Sequence, residues 1–360
     1  MISFKQLLSN CVIPSSVRGI FRNSSTLSYV QRIKLLQAAK DDDSKCSEMM
    51  ERGLFLPFLN KRPLINIQSE DLAGKQMNSM EHGSQKLRWI TFSELQSLCP
   101  WEDVASRAVL LHIADSGQAC FTAALPGGAD VAAQAETALA SKFVDPRAAL
   151  FLLPWAQAHT MSHAFAVLHW KAVTNFCPNC GVELRSRTAG HAKRCPSCET
   201  VQYPVTPPVG ITMVTDTAQT RALLVRQGRH PPGMYSCVAG FLEPGETIES
   251  CVRREVAEEV GLDVHQIRYA GSQHWPFDGS SLMVGCYALT DHTELEVDRS
   301  ELEDARWFSA SELLDAYQRI QRDLGLRLRR ENTGVLWIPP RGTIAHRLIK
   351  SWLAERGLLS

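Results

Sequence analysis

The chain has 360 residues, enough for two domains and a small third. Its 38 basic and 38 acidic residues cancel, which argues against bulk, sequence-independent nucleic-acid binding as the main task and leaves only a local basic groove open. Eleven cysteines, four of them in two C-x-x-C pairs, point to metal binding in a reducing compartment rather than to a disulfide framework.

The first forty residues contain no Asp or Glu, while Lys5, Arg18, Arg22, Arg32, Lys34 and Lys40 are scattered among seven serines and short apolar patches. That is the composition of a mitochondrial transit peptide, and the apolar runs are too interrupted for a secretory signal core. Residues 1–45 are therefore expected to be a leader to the mitochondrial matrix, with a plain unstructured terminus as the alternative. From 46 to 170 the chain reads as an N-terminal α+β domain. Alternating runs at Ala108–Ile113 and Ala119–Ala123, bounded by Ser-Gly and Pro-Gly-Gly, predict strands. Its role stays open between packing, formation of a homodimer and provision of part of a substrate wall.

Between Arg147 and Lys171 lie 23 residues without a formal charge. Pro154, Gln157, His159, Thr160, Ser162, His163 and His169 put too many polar groups there for a membrane span, so a helix against a core is expected and no membrane partner. His159 and His163 are spaced i, i+4, but no acidic partner is near in sequence, and ordinary histidines are the better reading.

Cys177-Pro-Asn-Cys180, fourteen residues, and Cys195-Pro-Ser-Cys198 follow. Each pair can turn two thiolates toward one ion, and four thiolates make a closed tetrahedral zinc site with no position left for substrate. A zinc ribbon over 171–204 is predicted, with a structural role, because so short a segment has too little core without a staple. A redox pair and a nucleic-acid grip are the alternatives.

Beyond Tyr203-Pro204, apolar runs at Val209–Val214 and Ala222–Val225 predict a hairpin, and a third run, Tyr235–Ala239, leads to Gly240. From Ile248 the apolar residues Cys251, Val252, Val256 and Val260 fall on one helical stripe, with Thr247 as N-cap and Gly261 as C′. Glu255, Glu258 and Glu259 then share the polar face at i, i+3 and i+4. Three carboxylates that close repel unless a cation lies among them, and oxygen ligands without His or Cys suit magnesium or manganese. A solvated acidic face is the bland alternative.

Gly240, Glu246 and Arg254-Glu255-Val256-Ala257-Glu258-Glu259-Val260-Gly261-Leu262 match every fixed position of G-x5-E-x7-R-E-U-x-E-E-x-G-U. The stretch resembles the Nudix box, and the resemblance implies a hydrolase of nucleoside diphosphates linked to another group, with a mixed sheet sandwiched between helices. It implies Glu255 and Glu259 as ligands of catalytic metal, Glu258 as a ligand or base, Arg254 pairing with Glu246, and the Ala239 carbonyl in the metal shell. Ser272-Gln273-His274-Trp275-Pro276-Phe277-Asp278-Gly279-Ser280 is similar to the S-Q-P-W-P-F-P-x-S array of NADH pyrophosphatases, with His274 and Asp278 in place of prolines. The ribbon and the closing Pro339-Pro340-Arg341-Gly342-Thr343-Ile344-Ala345 belong to the same resemblance, whereas Val205-Thr206-Pro207 departs from it.

Carried over, Gln273, Trp275, Phe277 and Ser280 contact the dinucleotide, Tyr203, Phe241 and Ala345 line its pocket, and Glu301 is the metal or base residue beyond the box. A nicotinamide or adenine ring would lie on the flat faces of Trp275 and Phe277. The expected architecture is α+β: N-terminal α+β domain, four-Cys ribbon, and a Nudix α/β/α sandwich over 205–357. The expected activity is hydrolysis of NADH to reduced nicotinamide mononucleotide and AMP, with NADPH as a further substrate. Removal of an NAD cap from RNA and catalytically idle nucleotide binding are the alternatives. The arginines from Arg319 to Arg330 are a basic run open to phosphate or RNA, or simply a solvated face.

Overall fold

The computed structural model describes residues 26–67, 83, 85–277, 279–322 and 335–359, without the side chain of Asp103. Residues 1–25, Asp278 and Arg327, Arg329 and Arg330 of the basic run lie outside the described residues. The chain divides into two compact units. One holds the described residues before Val205 except Gly83 and Leu150–Leu152; the other holds those four and the described residues from Val205 on.

In the first unit, Leu54–Leu59 pairs antiparallel with Arg62–Asn66 and parallel with Ala119–Ala124, which pairs antiparallel with Ala108–Ile113 as expected. Helices Tyr29–Asp41 and Asp43–Glu51 precede this sheet. Ser28 opens the first with a capping box to Gln31, and Asp42 caps the second. Ala39 and Cys46 are fully buried with Phe55, Phe121 and Leu110, and Arg32 pairs with Asp115 at 2.6 Å. A leader boundary at residue 45 therefore cuts through packed structure. The basic residues Arg32, Lys34 and Lys40 belong to a helix that packs Leu35, Leu36 and Ala39 against the core and leaves Val30 and Ile33 exposed.

The uncharged segment breaks at Leu153-Pro154 into Pro146–Leu152 and Trp155–Val173. Among the described residues no helix is long and apolar enough to cross a membrane. The ribbon starts after Val173 and is built into the first unit instead of standing apart. Its Lys193 is buried and donates to the carbonyls of Lys171 and Thr174, both at 2.6 Å, so an ammonium closes the C-terminus of the long helix. Ala189 accepts from the Leu110 amide at 2.9 Å.

The second unit is a six-stranded mixed sheet. His265–Trp275, Ser281–Thr290, Pro208–Asp216, Arg221–Arg226 and Asp304–Ser309 lie side by side, and Val238–Phe241 also pairs with Pro208–Asp216. Pro208–Asp216 runs parallel to Ser281–Thr290, while the other pairs are antiparallel. Alternation along the strands sends Ala222 and Leu224 to one face and Leu223 and Val225 to the other. On one face lies the box helix Ile248–Val260; on the other lie Ala310–Arg322 and Ile344–Glu355. This is the expected α/β/α sandwich. The strand before the box is Val238–Phe241 rather than Tyr235–Ala239. Tyr235 is instead turned to Asp304, its hydroxyl 2.5 Å from the carboxylate.

Candidate active site and metal centres

The box helix starts and stops as its caps require. Thr247 accepts from the Ser250 amide at 3.2 Å, and Gly261 has φ 69°, the left-handed turn that glycine takes without a Cβ penalty. Cys251, Val252, Val256 and Val260 are buried against the sheet. Glu259 is buried with them and Glu255 lies against Gly240 at the edge of this stripe, while Glu258 turns outward.

Arg254 lies among the glutamates as their counter-charge. Its Nε and Nη2 donate to the two oxygens of Glu246 at 2.7 and 2.8 Å, its Nη1 donates to Glu255 at 2.7 Å and Glu258 at 2.9 Å, and Nη2 also reaches the Phe241 carbonyl at 2.8 Å. The expected pair with Glu246 is thus one part of a larger grip that fastens the preceding loop to the helix. The Arg254 hydrogen bonds hold the Glu246 carboxyl down to about 2 and raise the arginine further above its ordinary range.

Glu259 differs from these. It is only 2 % exposed, and its Oε2 has no hydrogen-bond partner. Burial, then the charges of Glu255 and Glu301, push its carboxyl up to about 8. A buried carboxylate oxygen without a partner, facing other carboxylates, is a costly arrangement for a protein alone. Glu255 is also raised, first by burial and against the pull of Arg254. Its carboxylate approaches the backbone of Gly240 so closely that a Cβ there would lie 1.8 Å from the carboxyl carbon. The first glycine of the motif is therefore a space requirement.

Glu301 belongs to a loop clipped to the end of the box helix: Glu296 and Asp298 amides donate to the Val260 and Glu259 carbonyls, both at 3.0 Å. Its neighbours in sequence are otherwise engaged. Glu303 pairs with Arg226 at 3.1 Å, and Asp304 binds Tyr235 and Arg306. Glu301 is thus the residue of this acidic stretch whose charge is felt at both Glu255 and Glu259. The carboxylates are not drawn into a tight ligand set: among the described residues, the group of His, Cys, Asp or Glu ligand atoms gathered within 4.8 Å is the four cysteines. The all-oxygen donors and the unpartnered Glu259 Oε2 nevertheless fit a hard divalent ion.

The ribbon cysteines do converge. Sγ atoms of Cys177 and Cys198 are 3.5 Å apart, Cys180 and Cys195 3.4 Å, and Cys180 and Cys198 3.6 Å. Tetrahedral thiolates at Zn–S distances of about 2.3 Å stand about 3.8 Å apart, so the four fit one zinc. His159 and His163 join no such group; His159 packs on Trp155, 4.5 Å between ring centres.

The expected substrate contacts are placed unevenly. Tyr203 and Phe241 are exposed, at 59 % and 54 %, Tyr203 in the first unit and Phe241 in the second. Trp275 is half-buried, edge-on to Phe277 at 5.0 Å. Phe277, Gln273, Ser280 and Ala345 are buried, which differs from the expected ring-stacking surface. Gln273 donates to the Gly342 carbonyl at 2.6 Å and so fastens the closing Pro-Pro-Arg-Gly loop beside the array. Ser280 lies 3.0 Å from His274, the residue that stands in place of a proline. Ala345 packs its methyl into the core behind the sheet. Arg319, of the basic run, bonds the Leu336 carbonyl.

Residues 205–328 match the NUDIX domain family, and residues 174–203 match the NADH pyrophosphatase zinc ribbon domain. Human "NAD(P)H pyrophosphatase NUDT13, mitochondrial" is 36% identical over 340 residues, 91% of this chain and 92% of the relative. The chain belongs to the Nudix family. This Nudix pyrophosphohydrolase is also 35% identical to the mouse protein of the same name, across 95% of each chain. Human "NAD-capped RNA hydrolase NUDT12" is 42% identical over 216 residues, 58% of this chain and 44% of the relative. These relatives are all named for hydrolysis of NAD-related molecules.

Arg226 was not legible as part of the site. It is buried, pairs with Glu303, and donates to the carbonyls of His230 and Pro231 at 3.2 and 2.6 Å. The signal that finds it is an arginine closing an otherwise apolar strand, Ala222-Leu223-Leu224-Val225, since a buried guanidinium needs an acidic partner.

Proposed function

We propose that this enzyme hydrolyses the pyrophosphate of NADH, giving reduced nicotinamide mononucleotide and AMP, and treats NADPH alike to give the mononucleotide and 2′,5′-ADP. The observation that carries the metal-dependent reading is Glu259: a buried carboxylate oxygen without a partner, beside Glu255 and Glu301, is a ligand awaiting a cation. Magnesium or manganese held by Glu255, Glu259 and Glu301, with Glu258 and the Ala239 carbonyl alongside, would neutralise the pyrophosphate and lower the pKa of a bound water.

The chain's own groups do the rest. Arg254 keeps Glu246, Glu255 and Glu258 in fixed positions. Glu258, whose side chain is 58% exposed, is open to take the proton from the attacking water. Water adds to one phosphorus, the bridging oxygen leaves with the other phosphate, and the released proton passes through a carboxylate. Within the array the half-buried Trp275, unlike the buried Phe277, offers ring surface for a base or nicotinamide, and the exposed Phe241 offers another. Zinc at the four cysteines keeps the ribbon folded and takes no part in chemistry.

The test is a panel of NADH, NADPH, NAD, ADP-ribose and NAD-capped RNA with magnesium or manganese, products resolved by mass. Reduced mononucleotide plus AMP supports the reading; intact NADH under all conditions sinks it. The second reading, removal of an NAD cap from RNA, is supported by the 42% identity to the human relative of that name, and monophosphorylated RNA in the same panel would establish it. Matrix targeting is supported by the acid-free first forty residues and by the human relative's printed location. Fusion of residues 1–28 to a fluorescent protein tests it, and diffuse cytosolic signal would remove it.

A further inference from the structure

The strands Arg221–Arg226 and Asp304–Ser309 pair antiparallel with Arg226 opposite Asp304. Arg229 lies three residues past the end of the first strand, and Glu301 three before the start of the second. Both therefore emerge from the same end of one ladder. Arg226 fixes the two exits together: it pairs with Glu303 at 3.1 Å and holds the His230 and Pro231 carbonyls at 3.2 and 2.6 Å. The turn is closed further by the Gln227 amide, which donates to His230 Nδ1 at 3.3 Å. An exposed arginine at the tip of a turn braced this way is held, not loose.

Other cations at this edge are committed. Arg254 serves three carboxylates and a carbonyl, Arg226 serves Glu303 and two carbonyls, and Arg299 bonds the Glu303 carbonyl. Arg229 is exposed and donates from Nε to Gln227 Oε1 at 2.8 Å. Among the described residues it forms no ion pair with a carboxylate within 4 Å. The guanidinium thus leaves the same ladder end as Glu301, with both of its terminal nitrogens uncommitted among the described hydrogen bonds.

We propose that Arg229 binds the non-bridging oxygens of the substrate's pyrophosphate, from the turn that follows the strand Arg221–Arg226. A planar guanidinium with two uncommitted nitrogens matches a phosphate by two parallel hydrogen bonds. Because Arg229 and Glu301 leave the same end of one ladder, a phosphate bound by Arg229 would be within reach of a cation held by the glutamates, and its negative charge would be met from both directions. The assignment rests on the pyrophosphohydrolase reading and adds to it a residue outside the box that recognises the anion rather than the ring.

The experiment compares wild type, Arg229→Gln and Arg229→Lys. NADH turnover is measured with magnesium, and binding of AMP is measured by calorimetry with calcium present. Arg229→Gln is expected to raise KM for NADH and Kd for AMP by roughly tenfold, with thermal melting unchanged; Arg229→Lys recovers part of both by restoring charge without the fork. A side chain that merely screened the carboxylates would move the pH profile and leave AMP binding alone. KM and Kd within twofold of wild type in Arg229→Gln would overturn the proposal. If wild type turns over no NADH, the functional reading fails, and the AMP arm still decides Arg229.

Discussion

Arg254 holds Glu246 by two parallel hydrogen bonds of 2.7 and 2.8 Å, joining residues eight positions apart on loop and helix. Because the same guanidinium aligns Glu255 and Glu258, loosening one end disturbs the others. Glu246→Gln should lower kcat/KM for NADH by roughly ten- to a hundredfold, the scale of losing a charge-assisted pair at a site. Lysine at 254 should do no better, since one ammonium cannot span three carboxylates. Steady-state kinetics beside a thermal melt checks this, and near-normal activity in either variant would refute the alignment role.

At Gly240 the constraint is space. A Cβ would lie within 2.0 Å of all three carboxyl atoms of Glu255. Gly240→Ala should push that carboxylate off its position, so that more magnesium is needed for half-maximal rate and kcat falls at least tenfold, while the sheet and box helix persist by circular dichroism. An unchanged metal titration would mean that Glu255 does not hold the ion.

Glu259 makes stability depend on pH in a definite direction. Its folded-state pKa, about 8, lies above the ordinary 4.5. The folded form binds this proton more tightly, so the stability linked to it is complete below about 4.5 and is lost as pH rises through 8. In chelator, melting temperature should fall between pH 5.5 and 8.5, and Glu259→Gln should flatten that slope. Magnesium or manganese at pH 8.5 should restore wild type and not the variant. Parallel slopes for the two proteins, or equal rescue by metal, would remove Glu259 as the buried ligand. The same variant should lose turnover.

Cys195 is fully buried among the ribbon thiols. Cys195→Ser should take zinc per chain from one to near zero by atomic emission. It should also destabilise the first unit, because the ribbon supplies Lys193 to the long helix and Ala189 to the strand Ala108–Ile113. Structural zinc contributes on the order of 10 kcal/mol to folding of small sites, so aggregation or early protease cleavage is expected. Full zinc occupancy in the variant would contradict the four-thiolate centre.

Local chemistry was readable wherever partners lie close along the chain. The box helix, its Thr247 and Gly261 ends, the paired cysteines and the hairpin strands follow from spacing, because helix period, caps and C-x-x-C turns are short-range properties. The packing of residues 29–45 was not legible in the sequence for a related reason. Composition cannot reveal that Ala39 fills a hole among Phe55 and Leu110, residues far along the chain.

What the amino-acid sequence by itself determined was the four thiols for zinc, and the candidate set of glutamates at i, i+3 and i+4 on which the proposal of a harder ion rests. Only the tertiary structure decided how those groups are used. Arg254 fixes Glu255 and Glu258 in place and leaves Glu259 buried with one oxygen unpartnered. The structure also singles out Glu301 from an acidic run by engaging Glu303 and Asp304 elsewhere. It turns Gln273 and Ser280 inward onto Gly342 and His274. The physical reason is that charge, burial and hydrogen-bond satisfaction are properties of neighbours in space, and these neighbours come from strands and loops distant in the chain.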